Sequence, residues 1–165
     1  DSTKDVRHIL FKVDESALDS EAETYEADLQ AAKDAAKTAA EDALAQWKAG
    51  EATEDSFAAL ANELSTDAGS NTNGGLYTKI YKNQMVTEFN DWCFDASRQS
   101  GDTGIVYGES SNYKGYHVMY FVGDDVPYWQ VQAENALRNT DTEAWLDGLL
   151  DSADVVQENG MKHVG

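Results

Sequence analysis

Residues 114–122 read KGYHVMYFV, an extended run in which His117, Met119 and Phe121 fall on one face and Tyr116, Val118, Tyr120 and Val122 on the other. A segment apolar on both faces reads as a well-buried strand. Immediately upstream, TGIVY (103–107) is a second strand candidate, and the turn-rich GESSN (108–112) between them reads as a hairpin connection. Near the other end of the chain, VRHILFKV (6–13) repeats the pattern. Val6, His8 and Leu10 share one side, and Arg7, Ile9, Phe11 and Val13 share the other.

Helical periodicity fills the space between. From about Asp19 to Lys48 the residues Leu29, Ala32, Ala36, Ala40, Ala43 and Trp47 recur at spacings of three and four, and Gly50 ends the stripe. Small alanines in that stripe allow close packing on a sheet, and no sustained heptad pattern supports a coiled coil. A second helix is predicted with Thr53 as N-cap, Glu54 and Asp55 in the first turn, and Phe57, Leu60, Ala61 and Leu64 on one face. STDAGSNTNGG (65–75) is small, polar and glycine-rich, a loop. Leu76 to Ile80 can form a short strand, and VTEFNDWCFDASRQ (86–99) a helix with Val86, Phe89 and Cys93 on one face, stopping near Gly101.

The predicted order is strand, helices, strand, helix, strand, strand, which indicates an α+β domain with a mixed or antiparallel sheet partly covered by helices. Pro127, the only proline, marks a boundary after Asp124 and Asp125. Beyond it, Tyr128 to Leu137 and Glu143 to Leu150 read as helical, and Val155 and Val156 as a short terminal strand. The expected division is therefore a domain over 5–124 and a C-terminal helical extension over 125–165.

Charge and cysteine usage restrict the function. With 12 Lys and Arg against 31 Asp and Glu, the net charge is −19, so nucleic acid and anionic membrane surfaces, which need a basic footprint, are poor partners. Cys93 is the single cysteine, and no Cys/His cluster has zinc-ligand spacing, so neither a disulfide nor a metal is expected. The chain begins at Asp1 without a methionine and reads as a piece of a longer precursor. An exported precursor would have carried its signal or anchor upstream.

Five separated motifs share one resemblance. VRHILFKV, WKAGEATEDSFAALANELSTDAGS (47–70), NGGLYTKIYKNQMVTEFNDWCF (73–94), TGIVY and KGYHVMYFVG (114–123), in that order and over about three quarters of the chain, resemble the parvulin family of peptidyl-prolyl cis/trans isomerases, also called PpiC-like rotamases. The resemblance implies a parvulin-like (FKBP-like) four-stranded, mostly antiparallel sheet with covering helices, and catalysis of rotation about X-Pro bonds without a cofactor. The family's two active-site histidines fall on His8 and His117, its loop carboxylate or thiol on Asp67, and its proline-pocket residues on Leu76, Met85 and Phe89. Implied partners are proline-containing unfolded or extended polypeptides.

Some positions depart from the family. The hairpin GESSNYK (108–114) is longer than in the shortest members, leaving the family's small hydroxyl residue near the second histidine without an assigned position, and Val86 stands where some members carry glutamine. Asp14 and Glu15 occupy the place of the basic cluster of phosphate-directed members, and an acidic loop repels phosphate. Trp145, Leu146, Leu149 and Leu150, followed by DSADVV (151–156), resemble the segment after the isomerase domain in secretion foldases of the PrsA type, which implies an extracytoplasmic foldase with part of a chaperone lobe.

Read without the resemblance, the same residues have plainer roles. His8 and His117 would be satisfied core histidines, Asp67 a loop or capping residue, and Met85 and Phe89, four apart, helix-to-core packing. Cys93 lies on an inward helical face and reads as a small core residue. His163, in a polar tail, is given no role. A chaperone or peptide-binding module with little isomerase activity is the alternative function.

Overall fold

The structure is a computed structural model that describes residues 1–111 and 113–152. It divides into a compact unit, Asp1–Tyr128, and a second unit from Trp129 onward. In chain order the elements are β1 (Ser2–Lys12), α1 (Tyr25–Ala49), α2 (Glu54–Leu64), β2 (Leu76–Ile80), α3 (Thr87–Cys93), β3 (Thr103–Glu109), β4 (Lys114–Pro127) and α4 (Tyr128–Ser152).

The four strands form one sheet in the order β2-β1-β4-β3, and every neighbouring pair is antiparallel. The two runs with apolar residues on both faces, β1 and β4, are therefore the central pair. Their register sets His8 opposite Met119 and Leu10 opposite His117, so both histidines share one face of the sheet. On that face Val6, Met119 and Phe121 pack against Phe89 and Cys93 of α3. On the other, Ile9, Val118 and Tyr120 pack against Ala40, Ala43 and Trp47 of α1 and Phe57, Leu60 and Ala61 of α2. The alanine stripe works as expected: Ala36, Ala40 and Ala43 are buried, which brings the helix close to the strands.

Local chemistry fixes the element ends. Thr53 caps α2 in a reciprocal capping box with Ser56, and its carbonyl accepts a hydrogen bond from Trp47 Nε1, tying the α1 terminus to the α2 start. Helix α3 ends at Cys93, short of the predicted stop near Gly101. Asp95 accepts from the Ser97 backbone N–H and hydroxyl, an Asx turn that competes with further helix. Gly104 of β3 lies beneath the Trp92 indole, where a Cβ would come within 2.5 Å of Nε1.

Pro127 is the last residue of β4, paired with Ser2, where its missing N–H interrupts no further ladder. The expectation of a strand ending near Val122 is thus corrected: β4 runs five residues longer, and the following residue opens α4. Helix α4 is one continuous helix where two were expected. Within it Trp129, Leu137, Trp145, Leu146, Leu149 and Leu150 are exposed. The suggested strand at Val155 and Val156, and His163, lie outside the described residues.

Candidate active site

Strand alternation carries His8 and His117 to the same face, and the sheet register brings their rings together although the residues are 109 apart in sequence. Their Nδ1 atoms are 2.9 Å apart, and both side chains are buried, at 2% and 3% exposure. The glycine-rich loop adds Asp67, whose Oδ2 is 2.9 Å from His8 Nε2. Three groups from the first strand, a loop and the last strand therefore meet at one point.

That loop is held on all sides. Arg7, on the opposite face of β1, donates to the carbonyls of Asn73 and Gly74 and pairs with Glu54 of α2. Asn62 Oδ1 accepts from Gly74 N, and Ser65 Oγ accepts from Leu10 N. Gly75 takes φ +69°, and its carbonyl accepts from the His8 backbone N–H. A Cβ there would stand 2.2 Å from the His8 carbonyl oxygen, so this close approach of loop to strand requires glycine.

Asp67 is surrounded by donors. Ser70 Oγ donates to Oδ2 at 2.6 Å, Tyr77 Oη donates to it at 2.9 Å, and the Gly69 N–H donates to Oδ1. The His8 hydrogen bond foremost, then those of Ser70, Gly69 and Tyr77, hold the carboxyl well below the usual carboxylate range despite partial burial. An ionised carboxylate can only accept, so His8 Nε2 carries its hydrogen toward Asp67. Burial pushes His117 down to about 3, the nearby His8 adding to the fall and Asp67 opposing it. The second ring nitrogen of His117, Nε2, is 3.0 Å from Tyr113 Oη. All four imidazole nitrogens are thus engaged by protein groups, which offsets the 1–3 kcal/mol, roughly, that each unsatisfied buried polar atom would cost.

Above this network lies a cleft of about 180 Å³ lined by His8, Leu10, Lys12, Asp67, Tyr77, Met85, Tyr113 and His117. Its size suits one side chain or ring rather than a drug-sized ligand. Of the residues expected at the site, His8, Asp67, His117 and Met85 line it. Phe89 lies beneath: fully buried, it meets both imidazoles edge-on at ring-centroid distances of 5.7 and 5.4 Å and forms their floor. Leu76 does not reach the cleft. It is paired with Arg7 and so shares the opposite face, while Tyr77, paired with Val6, turns toward the histidines.

Ser70, Tyr77 and Tyr113 escaped the sequence reading. Ser70, three residues after Asp67 in a turn-forming stretch, carried a local signal. Tyr77 could not be chosen over Leu76 without the β1–β2 register, because both are apolar and the strand is only five residues long. Tyr113 sits at the end of a hairpin connection, and nothing in the sequence indicates where a loop phenol will point. Cys93 is fully buried in the α3 core, where burial pushes its thiol up to about 12, an inert position.

The family model described as Rotamase, PPIC-type PPIASE domain, matches residues 8–123. No curated protein matches the chain. Among solved structures, the chain is similar to a peptidylprolyl isomerase, PrsA, from Bacillus cereus, at 24% identity and a TM-score of 0.48, the match covering 96% of this chain and 53% of that one. The chain therefore spans about half the length of that protein.

Proposed function

This chain belongs to the PPIC-type peptidyl-prolyl cis/trans isomerase family, and on that premise we propose that it assists the folding of exported proteins by non-covalent rotation of X-Pro bonds, with no requirement for phosphate. Its site residues would be His8, Asp67 and His117 in the polar network, Met85, Tyr77 and Tyr113 around the proline, and Phe89 beneath the imidazoles.

Rotation about an X-Pro bond crosses a barrier of roughly 18–20 kcal/mol set by amide resonance. Twisting the amide reduces its charge separation, so a poorly hydrated pocket favours the twisted state over the planar one. The single observation that best supports this reading is the internally saturated histidine pair beneath a small cleft. With every ring nitrogen engaged, the imidazoles are suited to hold shape and exclude water rather than to trade protons with a substrate. Met85 supplies an adaptable apolar wall and Phe89 a rigid floor for the rings.

Phosphate independence is supported by the rim. Lys12 lines the cleft and has no ion-pair partner among the described residues, but Asp14 and Glu15 follow it, and Glu15 pairs with Lys114 at 2.9 Å. One ammonium beside carboxylates is a weak receptor for a group of charge about −1.5 to −2. Among the described residues no helix is long and apolar enough to cross a membrane.

The test is exchange spectroscopy on a short unphosphorylated X-Pro peptide. Wild-type protein should accelerate cis/trans exchange and Asp67→Ala should abolish most of the acceleration; exchange at the solvent rate with wild-type protein would overturn the reading. The exposed apolar side chains of α4 favour a second reading, a chaperone or peptide-binding module. It requires suppression of aggregation that survives His8→Ala and is lost when Trp145 and Leu149 are replaced.

A further inference from the structure

We propose that Tyr113 is a positioning residue of this site, the terminal donor of a one-directional hydrogen-bond chain that runs from the hairpin to Asp67. The inference rests on the isomerase reading above and adds a residue and a direction to it.

The direction follows from the partners. Asp67, an ionised acceptor already accepting hydrogen bonds from Ser70 and Tyr77, requires a hydrogen on His8 Nε2. A neutral imidazole with its hydrogen on Nε2 offers only a lone pair at Nδ1. His117 Nδ1, 2.9 Å away, must therefore donate, which leaves His117 Nε2 as a lone pair. Tyr113 Oη, 3.0 Å from that nitrogen, has a single proton, and this is where it goes.

Geometry makes the phenol suited to the task. Tyr113 lies four residues before His117, and the Ser110 N–H donates to its carbonyl, closing the hairpin turn that sets its reach. Its ring meets the His117 ring at 74°, with centroids 5.6 Å apart, so the contact fixes the imidazole plane as well as its proton. Behind His117 the space is also closed, because Gly108 of β3 leaves only enough room for the imidazole: a Cβ there would fall 3.0 Å from Nε2. Burial and the carboxylates of Asp67 and Glu88 raise the phenol, which keeps its proton available to donate.

Two consequences distinguish this role from simple packing. His117 carries its proton on Nδ1, and no imidazole N–H points into the cleft. Tyr113, which lines the cleft, presents the edge of its ring and the lone pairs of its oxygen, since its proton is committed inward.

The experiment compares 15N-labelled wild-type protein with Tyr113→Phe at pH 7.5, reading long-range imidazole 1H–15N spectra and the exchange kinetics of an X-Pro peptide. Wild-type His8 should be protonated on Nε2 and His117 on Nδ1. In Tyr113→Phe, with an otherwise unchanged amide spectrum, the His117 Nε2 resonance should move toward that of a pyridine-type nitrogen without a donor, while the His8 resonances stay. Loss of one hydrogen bond should lower kcat about fivefold, with KM changing less than about twofold. A wild-type His117 proton on Nε2, a Nε2 resonance unmoved by the substitution, or an unchanged kcat would each overturn the proposal. Wild-type protein that leaves peptide exchange at its solvent rate would instead remove the isomerase reading, and the imidazole resonances would still decide whether Tyr113 is the donor.

Discussion

Acid should destabilise this fold through His117 well before the ordinary carboxylates titrate. The ring is 3% exposed, and burial pushes it from 6.5 down to about 3, so between those values the unfolded chain binds a proton that the folded chain refuses. Stability is therefore fully present above about pH 6.5 and is lost as pH falls toward 3, at about 1.4 kcal/mol for each pH unit. From pH 7.5 to pH 5.0 the loss attributable to this one group is about 2 kcal/mol, and because pH 5.0 lies well above the folded value the result barely depends on where that value falls. At a urea m-value of roughly 1–3 kcal/mol/M, the midpoint should drop by about 1 M. Urea unfolding of wild-type protein and of His117→Gln at both pH values isolates the contribution, since the other titrating groups are common to both chains. Equal losses in the two chains would refute the reasoning. Asp67, held low by its donors, adds a further loss only at lower pH, below about 3.8.

Gly75→Ala should cost about 3 kcal/mol, because it combines a left-handed backbone with a Cβ driven against the His8 carbonyl; a melting temperature within a degree of wild type would show that the loop can retreat without cost. Cys93, fully buried with its thiol pushed up to about 12, should resist an aromatic disulfide reagent at pH 8 in the native state and react at once in denaturant; rapid labelling of native protein would mean that α3 opens readily.

The parts of the fold that could be read from sequence are those where period and burial agree. VRHILFKV and KGYHVMYFV alternate cleanly, so the faces of Val6, His8, Leu10, His117, Met119 and Phe121 follow from counting alone, and the alanine stripe of α1 and the Thr53 cap are equally local signals. Where two readings have similar local energies, the sequence does not choose. Leu76 and Tyr77 are both plausible pocket residues until pairing with Arg7 and Val6 assigns the faces. The end of α3 depends on whether Asp95 accepts from the Ser97 backbone N–H, and the length of β4 on whether Ser2 is available to pair with Pro127. Asp67 was identifiable by its place in a motif, but the donors that surround it come from a turn, a neighbouring strand and β1. Their convergence is a property of the folded chain.

The site is built on the junction of the first strand and the last. During synthesis, a nascent chain released as far as Ser111 would hold His8, Asp67 and the whole of α1, α2 and α3, yet β1 would still lack the partner that runs alongside nearly its full length. Pairings so distant along the chain form late, after shorter loops have closed. Recovery of the proposed isomerase activity after dilution from denaturant should therefore appear together with the last phase of folding, so that the site would report the completion of its own sheet.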